Sequence, residues 1–240
     1  MQNIANCFCP QISVAIVTYN CISTLSEAID SVLDQDYDNV ELVIVDGASD
    51  DGTVELIRSK KGPIKWISEK DKGIYDAMNK ALNMASGDFL IFLGSDDHFI
   101  TNNTLSKVVS YITDTTYIYY GNVLRSQTID VYCKKFNKFK LASKNICHQS
   151  IFYPRTIYKK YQYKIDYRLN ADYYYNLNLW GDCHFVYVPV VVSYYSQNGE
   201  SSNAIDKTFE KDKGRIVFSN LGFLPYLYSK VFHFIRNLIK

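Results

Sequence analysis

The first half of the chain alternates between short apolar runs and segments whose apolar residues recur at helical spacing. The apolar runs predict buried strands, and the segments between them predict helices. The predicted strands cover residues 12–20, 40–46, 64–69 and 88–93, and the predicted helices cover 23–35, 53–60 and 73–85. Thr24 and Glu27 have the spacing of a capping box at the start of the first helix. This alternation indicates right-handed crossovers, so we predict an α/β fold with a mostly parallel central sheet flanked by helices.

The second half of the chain is less regular and rich in tyrosine. Three of its segments are predicted to be strands, at residues 117–123, 132–142 and 185–195. Residues 170–182 are predicted to form a helix because Tyr173, Leu177 and Trp180 share one face. No linker rich in proline or glycine separates the two halves. We therefore expect one domain over residues 1–220, whose second part, from about 101 to 220, caps the first, from about 10 to 100.

The last residues of the chain have a different pattern. Residues 223–240 mix aromatic and aliphatic side chains with Lys230, Arg236 and Lys240. This composition is typical of an amphipathic basic helix, which we predict over residues 221–240. Such a helix suits peripheral contact with a membrane surface. It equally suits packing within the protein or in a homo-oligomer, and the sequence leaves these alternatives open.

Composition and charge narrow the classes of partner. A formal net charge of +1 gives no global basic field, so we predict no binding to nucleic acid. The six cysteines include no Cys-x-x-Cys pair, which favours reduced thiols in a cytosol. The chain has neither a recognisable signal peptide nor an apolar run of about 18 residues. We expect a cytoplasmic protein with peripheral contact at the inner face of the cell membrane.

Polar residues follow the predicted strands of the first half at their carboxyl ends. They are Asn20, Asp46, Glu69 and Asp96. Ligands gather at this edge of a parallel sheet, and hard oxygen ligands there suit Mg²⁺ or Mn²⁺ together with a phosphate. Gly73 stands at a helix start, where backbone amides favour an anion. The structural alternatives are a turn or helix cap for Asp96 and Asp97 and a simple turn for Gly73.

Five segments of the chain resemble the family 2 glycosyltransferases of bacterial surface-polysaccharide pathways. They are SVAIVTYN, SVLDQDYDNVELVIVDGASDDGT, SEKDKGIYDAMNKAL, ASGDFLIFLGSDD and HQSIFYPR. The chain lacks both G-x-G-x-x-G and G-x-x-x-x-G-K-[ST], so neither a dinucleotide fingerprint nor a P-loop competes with this resemblance. The resemblance implies the GT-A fold of nucleotide-diphospho-sugar transferases, a nucleotide-sugar donor with UDP as the default nucleotide, a divalent cation and inversion of the anomeric centre.

The resemblance also assigns donor-binding roles to residues at the sheet edge. These residues are Thr18, Tyr19 and Asn20 against the nucleotide, Asp46 against the base or ribose, and Asp71 and Gly73 beside the ribose and donor diphosphate. The first part of the domain is therefore expected to bind the nucleotide. The second part is expected to bind the acceptor.

Ser95, Asp96 and Asp97 correspond to the metal-binding D-x-D signature of the resembled family. Many members carry a further carboxylate where this chain has Gly94. The departure makes Asp97 the expected direct ligand of Mn²⁺ or Mg²⁺, with Asp96 binding donor hydroxyls or reaching the metal through water. It also motivates an alternative function, a subunit that binds nucleotide sugars without catalysis.

An inverting displacement needs a carboxylate that takes the acceptor's proton on the face opposite the leaving diphosphate. The resembled family places this base at a helix start after the HQ segment, which implies Asp172, with Asp166 as the nearest rival. Helix capping is the structural alternative for Asp172. His148 is expected either to contact the diphosphate, metal or acceptor or to be purely structural. Gln149 is expected to orient a sugar hydroxyl.

The sequence therefore predicts a metal-dependent inverting glycosyltransferase. We expect it to move a sugar from a nucleotide-diphosphate sugar to a glycan acceptor, in lipid-linked form, during surface-polysaccharide synthesis. Two alternatives stay open, the inactive sugar-nucleotide-binding subunit and a nucleotidyltransferase on the same kind of sheet. The nucleotidyltransferase has no distinctive motif in this chain.

Overall fold

The structure, a computed structural model, describes residues 8–196 and 205–239. The strands are β1 (Ile12–Thr18), β2 (Val40–Asp46), β3 (Ile64–Ser68), β4 (Phe89–Gly94), β5 (His98–Phe99), β6 (Ile118–Arg125), β7 (Val131–Tyr132), β8 (Ile151–Pro154) and β9 (Phe185–Tyr195). The helices are α1 (Leu25–Leu33), α2 (Thr53–Ser59), α3 (Ile74–Met84), α4 (Thr104–Val109), α5 (Lys138–Ser143), α6 (Arg155–Tyr158), α7 (Ala171–Leu179), α8 (Lys207–Leu221) and α9 (Phe223–Ile239). A 3₁₀ turn spans His148–Ser150.

The described strands form one sheet in the order β3-β2-β1-β4-β8-β6-β9-β5, with β7 paired to β6. The first four strands in this order run parallel and pair along most of their lengths. The antiparallel pairs that β8, β7 and β5 form are short, whereas β6 and β9 pair in parallel over a long register. The α/β class and the long parallel ladders agree with the prediction.

Two apolar layers cover the two faces of the sheet. Successive residues of a strand point to opposite faces, so Ala15 joins the layer that contains α3 and α7, while Val14 and Ile16 join the layer that contains α1 and α4. Side chains on both layers are almost fully buried, including Phe92 on one face and Phe89 on the other. Burial on both faces explains why these strands are continuous apolar runs.

The seven elements predicted in the first half are all present, but the predicted capping box is wrong. Thr24 is the N-cap of α1, yet its side chain makes no capping hydrogen bond. Its backbone has helical angles, with φ of −118° and ψ of −30°. The Glu27 carboxylate instead lies 3.6 Å from His98 Nδ1, so the side chain that would complete the box is directed toward β5.

The predicted strand over residues 132–142 is also wrong. Pairing stops at Tyr132, because Cys133 and Lys134 have positive φ angles of 87° and 49° that bend the chain out of the strand. The Asn137 side chain then accepts a hydrogen bond from the Lys140 amide at 2.9 Å and caps α5. The other predicted elements of the second half are present as β6, α7 and β9.

The predicted C-terminal helix is present as α9, and α8 precedes it; Lys240 lies outside the described residues. No helix among residues 8–196 and 205–239 is both long and apolar enough to cross a membrane. The Asp206 side chain caps α8 by accepting from the Phe209 amide at 3.0 Å. Both helices pack against the second half of the domain.

Candidate active site

The carboxyl ends of β1, β2, β3 and β4 lie side by side at one edge of the sheet. Thr18 is opposite Asp46, Asp46 is opposite Ser68, and Val17 is opposite Gly94 in the strand registers. The segments predicted to bind nucleotide and metal therefore start from neighbouring positions, where ligands of parallel sheets collect.

Asp46 is fully buried at the end of β2. One carboxylate oxygen accepts from the Ser49 amide at 2.9 Å and from the Ser68 hydroxyl at 2.6 Å. The other oxygen accepts from the Ser49 hydroxyl. These bonds fix the turn after β2 and connect it to the end of β3, so Asp46 stabilises the backbone at this edge of the sheet. Its contact with the base or ribose stays a prediction.

Asn20 joins the turn after β1 to the turn after β2. Its backbone amide donates to Ser49 Oγ at 2.8 Å, and its side-chain oxygen accepts from the Asp50 backbone amide at 3.0 Å. Its φ of +52° is a left-handed conformation that asparagine tolerates better than most residues. Asn20 therefore fixes the backbone next to Tyr19, whose side chain is 63% exposed at this edge of the sheet.

Gly47 allows Asp71 and Tyr19 to approach the end of β2 closely. A Cβ atom built on Gly47 would lie 2.7 Å from Asp71 Oδ2 and 3.2 Å from the Tyr19 ring, so a larger residue would displace one of them. The other oxygen of Asp71 accepts from the Gly73 amide at 2.8 Å. That amide is thus already used within the protein, and a contact between Gly73 and the donor diphosphate stays a prediction.

Thr18 carries a buried hydroxyl at the same edge. The residue is 5% exposed, and its Oγ1 has no hydrogen-bond partner within the described part of the chain. Buried polar atoms are nearly always paired, and leaving one unpaired costs about 1–3 kcal/mol. A partner from outside the described protein is therefore favoured at this position.

Asp97 is 2% exposed, and its carboxylate is held by three neutral donors. Oδ2 accepts from the Gly94 amide at 3.0 Å and from Gln149 Nε2 at 2.8 Å, and Oδ1 accepts from the Ser196 amide at 2.8 Å. Burial, and then the neighbouring charge of Asp96, raise the pKa of Asp97 from 3.8 to about 6. The carboxylate charge is therefore poorly compensated.

Gly94 is explained by the position of these two carboxylates. A Cβ atom at Gly94 would lie 2.6 Å from Asp97 Oδ2 and 3.0 Å from Asp96 Oδ1. The space that a further carboxylate at position 94 would need is thus already filled by carboxylate oxygens. A side chain at position 94 would therefore require these two carboxylates to shift.

Asp96 is the more accessible of the pair, since it is half-buried and Asp97 is buried. Its carboxylate has no hydrogen bond from any residue that the structure describes. The described ranges also contain no group of three or more His, Cys, Asp or Glu side chains that would hold a metal by itself. The donor set of two adjacent carboxylates fits Mg²⁺ or Mn²⁺ when a diphosphate supplies further oxygens.

Asp172 lies in the first turn of α7 and is 9% exposed. Its Oδ1 accepts from the Tyr75 hydroxyl at 2.9 Å and from the Tyr173 amide at 2.8 Å. Its Oδ2 accepts from Asn145 Nδ2 at 2.8 Å and lies 3.2 Å from His148 Nδ1. Burial and the Asp172 charge raise the pKa of Tyr75 well above its usual value, so Tyr75 remains a proton donor to the carboxylate.

The 3₁₀ turn at His148–Ser150 connects the two carboxylate sites. His148 contacts Asp172, and the next residue, Gln149, donates to Asp97. Asp97 and Asp172 are therefore both in contact with the same short turn. The structure brings together the residues predicted for the metal and for the base, although their chemical roles stay predictions.

Asp166, the rival for the base, is placed elsewhere. It is exposed and lines a separate cavity of about 660 Å³ beside Gly73 and Arg168. Tyr75 lines this cavity as well, while its hydroxyl points to Asp172. Asp172 rather than Asp166 therefore belongs to the carboxylate cluster around the 3₁₀ turn.

A family model described as glycosyl transferase family 2 matches residues 13–176. The chain belongs to glycosyl transferase family 2. The matched span contains every residue predicted for the site, from Thr18 to Asp172. It ends inside α7, so β9, α8 and α9 lie beyond the matched span.

Two curated relatives illustrate the family 2 relationship. A PGL/p-HBAD biosynthesis glycosyltransferase of Mycobacterium bovis (strain BCG / Pasteur 1173P2) is 35% identical over 213 residues, 84% of this chain and 83% of the relative. The Escherichia coli UDP-Glc:alpha-D-GlcNAc-diphosphoundecaprenol beta-1,3-glucosyltransferase WfaP is 33% identical over 114 residues, 46% of this chain and 45% of the relative. Both relatives are named as glycosyltransferases.

Two solved structures have the same fold. S. aureus TarS 1-349 in complex with UDP superposes with a TM-score of 0.71 at 16% identity, over 88% of this chain and 65% of that chain. The mannosyltransferase PcManGT from Pyrobaculum calidifontis, in complex with GDP-Man and Mn²⁺, superposes with a TM-score of 0.66 at 18% identity, over 92% and 72%. The predicted GT-A fold is thus confirmed for this family 2 chain.

The sequence interpretation missed several residues of this family 2 site. Tyr75 and Asn145 hold Asp172, while Gly47, Ser49 and Ser68 shape the sheet edge at the carboxyl ends of β1 and β2. Tyr75 lies in the quoted segment SEKDKGIYDAMNKAL, where a polar aromatic on a helix face that is otherwise apolar was a usable signal. Asn145 follows a segment that was predicted as a strand, so its position had no sequence signal.

Proposed function

We propose that this family 2 glycosyltransferase transfers a sugar, with inversion, from a UDP-sugar to a hydroxyl of a lipid-linked glycan. One observation carries the proposal: Asp172 is fixed by Tyr75, Asn145 and His148 next to the turn that also holds Asp97. A base and a diphosphate site that contact consecutive residues of one turn are close enough to suit a direct displacement at an anomeric carbon bound beside both.

Asp172 acts as the general base in this proposal. The acceptor hydroxyl gives its proton to an Asp172 oxygen as it attacks the anomeric carbon, and the bond to the diphosphate breaks on the opposite face. The hydrogen bonds from Tyr75 and Asn145 keep the carboxylate in one orientation. Such a base contributes about 10² to 10⁴ in rate.

The donor nucleotide is proposed to bind along the edge formed by Thr18, Tyr19 and Asn20, with Asp46 and Asp71 beside it. The Thr18 hydroxyl, which is unpaired within the described residues, supports a polar ligand there. The exposed Tyr19 ring offers a flat surface on which the nucleotide's heterocyclic base could stack. UDP is the proposed nucleotide because WfaP is named for UDP-Glc and TarS is described with UDP.

Asp96 and Asp97 would hold Mn²⁺ or Mg²⁺, which neutralises the charge that develops on the leaving diphosphate. We propose that Asp96 is the direct ligand, since its carboxylate is accessible and makes no hydrogen bond within the described residues. Asp97 would add a further oxygen and fix the turn. This proposal reverses the order that the sequence suggested. It draws support from the Mn²⁺ of PcManGT.

A lipid-linked glycan is the proposed acceptor because WfaP is named for an acceptor on diphosphoundecaprenol. Surface-polysaccharide synthesis is the proposed setting. The alternative of an inactive binding subunit was motivated by Gly94, and close packing of Asp96 and Asp97 against that residue now accounts for it.

Asp172→Asn tests the proposal. Sugar transfer from UDP-sugars to a lipid-diphosphate-linked sugar is expected to fall by about 10² to 10⁴, because the amide cannot accept the proton. Donor binding, followed by thermal shift with UDP and Mn²⁺, is expected to be retained. Product configuration, measured by NMR, is expected to be opposite to that of the donor.

Asp166→Asn is the matched control, since it makes the same change at the exposed rival. Full turnover by Asp172→Asn, or an equal loss in both variants, would show that Asp172 is not the base. Retention of the donor's anomeric configuration would rule out the single displacement itself.

A further inference from the structure

The outward face of α9 is apolar along its whole length. Six apolar residues that share this face are each between 47% and 70% exposed: Leu224, Leu227, Val231, Phe234, Ile235 and Leu238. At about 100° per residue they fall on one stripe about 100° wide. We call these six residues the α9 stripe. A contiguous apolar face of this kind marks a site of interaction rather than ordinary surface.

The opposite side of α9 holds the helix on the protein. Ser229 is 6% exposed, and the Tyr226 ring packs edge-on against Phe218 of α8 with centroids 5.9 Å apart. Beside the stripe, the Tyr228 ring packs edge-on against Phe139 of α5 with centroids 5.7 Å apart. The helix is thus docked through its other residues, and this docking turns the α9 stripe outward.

A group of lysines adjoins the stripe. Residues 131–149 contain five lysines and no aspartate or glutamate. They are Lys134, Lys135, Lys138, Lys140 and Lys144, which we call the α5 lysines. None of them is in an ion pair with any residue that the structure describes. In a chain with a net charge of +1, this is a local and uncompensated positive patch.

A groove of about 360 Å³ connects the lysines to the helix. Lys140 and Lys144 of the α5 side and Tyr228 and Phe232 of α9 line it. The Lys144 ammonium lies 5.8 Å from the centre of the Phe232 ring. Tyr228 follows directly after Leu227, so Lys140 and Lys144 lie beside one margin of the α9 stripe.

We propose that the α9 stripe and the α5 lysines form one docking surface for an anionic lipid membrane. The stripe enters the boundary between headgroups and acyl chains, as in amphipathic helices that lie in the interface. The lysines meet lipid phosphates, and each contributes binding when it is near a negatively charged surface. Apolar and cationic groups side by side are what such a surface recognises.

Charge favours a membrane over a second copy of this chain. In a symmetric pair joined through the α9 stripe, the α5 lysines of both copies would be drawn together, and like charges oppose that contact. The surface is carried by α5 and α9 alone and does not depend on the proposed chemistry of Asp172. Asn145, which holds Asp172, comes directly after Lys144, so docking would bring the base near the lipid.

Vesicle flotation with the full chain tests the proposal. We expect the protein to float with phosphatidylcholine vesicles that contain phosphatidylglycerol and to stay behind with phosphatidylcholine alone. Lys138→Gln/Lys144→Gln is expected to weaken partitioning roughly 30-fold, since two surface cations are lost. Leu227→Gln/Leu238→Gln is expected to abolish flotation. Lys61→Gln/Lys107→Gln, the same change at exposed lysines elsewhere, is expected to float like the unmodified chain.

Circular dichroism melting verifies that each variant is folded, as expected for changes at exposed positions. Absence of flotation by the full chain would overturn the proposal, and so would an equal loss in the Lys61/Lys107 control. A concentration-dependent dimer that Leu227→Gln/Leu238→Gln abolishes, without flotation of the parent, would assign the stripe to a second copy and also overturn it.

Discussion

The two ends of the parallel sheet each hold a buried carboxylate, in opposite electrostatic surroundings. Glu41, near the amino end of β2, is 4% exposed, and Asp97, beyond the carboxyl end of β4, is 2% exposed. Glu41 forms an ion pair with Lys65 at 2.6 Å. Burial raises the pKa of Glu41, but hydrogen bonds from Lys65, Ser13 and Ser86 outweigh it and lower the pKa from 4.5 to about 2.

Asp97 has hydrogen bonds from neutral donors but no ion pair with a residue that the structure describes. Its three donors are neutral amides, and its nearest ionised neighbour of like charge is Asp96. Burial and that neighbour raise its pKa to about 6. At one end the fold compensates the charge that it buries, and at the other end it does not. A carboxylate left in this state is typical of a functional site, where a ligand completes the compensation.

Asp97→Asn is expected to separate activity from stability most strongly. Sugar transfer should fall by about 10³-fold, since the site loses charge that would face the cation. The free energy of unfolding should change by less than about 1 kcal/mol, because two effects oppose each other. Removal of a buried charge stabilises the protein, whereas the new Asn amide would face a hydrogen-bond donor that the carboxylate accepted from. Transfer assays with Mn²⁺ and urea denaturation measure the two quantities.

Asp38→Asn, at an exposed position, is the control for the Asp97 variant and should alter neither quantity. Should Asp97→Asn instead unfold the protein and leave residual activity per folded molecule intact, the contrast between the two ends would be gone. Asp97 would then be structural, like Glu41.

Glu41→Gln is expected to lower stability without lowering transfer activity. Loss of the ion pair should lower the free energy of unfolding at pH 7 by about 3 kcal/mol, while the folded protein keeps its transfer rate. Because the folded-state pKa lies below the unfolded value, this stabilisation is present above about pH 4.5 and is lost as the pH falls toward 2. The stability gap between the two proteins, from urea denaturation, should therefore narrow over that range.

A stability gap that stays constant from pH 7 to pH 2 would contradict the assignment of this stabilisation to the Glu41 charge. A Glu41→Gln protein with lower transfer activity and an unchanged free energy of unfolding would contradict it as well. Either result would remove the distinction between a compensated and an uncompensated end of the sheet.

The sequence predicted the parallel half well because its signals are local. Apolar runs such as 40–46 and the helical spacing in 73–85 depend on neighbours a few positions away, and the strands that follow from them bring Asp46 and Asp96 to one edge. The difference in burial between Asp96 and Asp97 at that edge was not predictable. It depends on Gln149 and Ser196, which reach Asp97 only in the folded chain.

The second half was predicted less well because its contacts are distant in sequence. Tyr75 and Asp172 are 97 positions apart, and no pattern along the chain connects them. The segment 132–142 is predicted as a strand, whereas positive φ angles at Cys133 and Lys134 end the pairing and the Asn137 cap starts α5. Backbone geometry of this kind has no periodic signal.

Tyr75→Phe gives the smallest and most selective expected effect. It removes one hydrogen bond to Asp172 and leaves those from Asn145 and Tyr173 in place. A hydrogen bond to a charged group contributes about 1.5–3 kcal/mol, so kcat should fall roughly tenfold while KM for the donor stays unchanged. Steady-state kinetics with varied UDP-sugar measures both.

Tyr119→Phe is the matched control, because Tyr119 is also fully buried but bonds the Thr113 and Asp114 amides in the layer that contains α1 and α4. Both variants should lose stability, by about 1.5–3 kcal/mol for Tyr75→Phe and about 1 kcal/mol for Tyr119→Phe. Only Tyr75→Phe should lower kcat, since only its hydroxyl orients the base. An equal fall in kcat for both would mean that the Tyr75 bond supports the fold alone, and that Asp172 needs no orientation from α3.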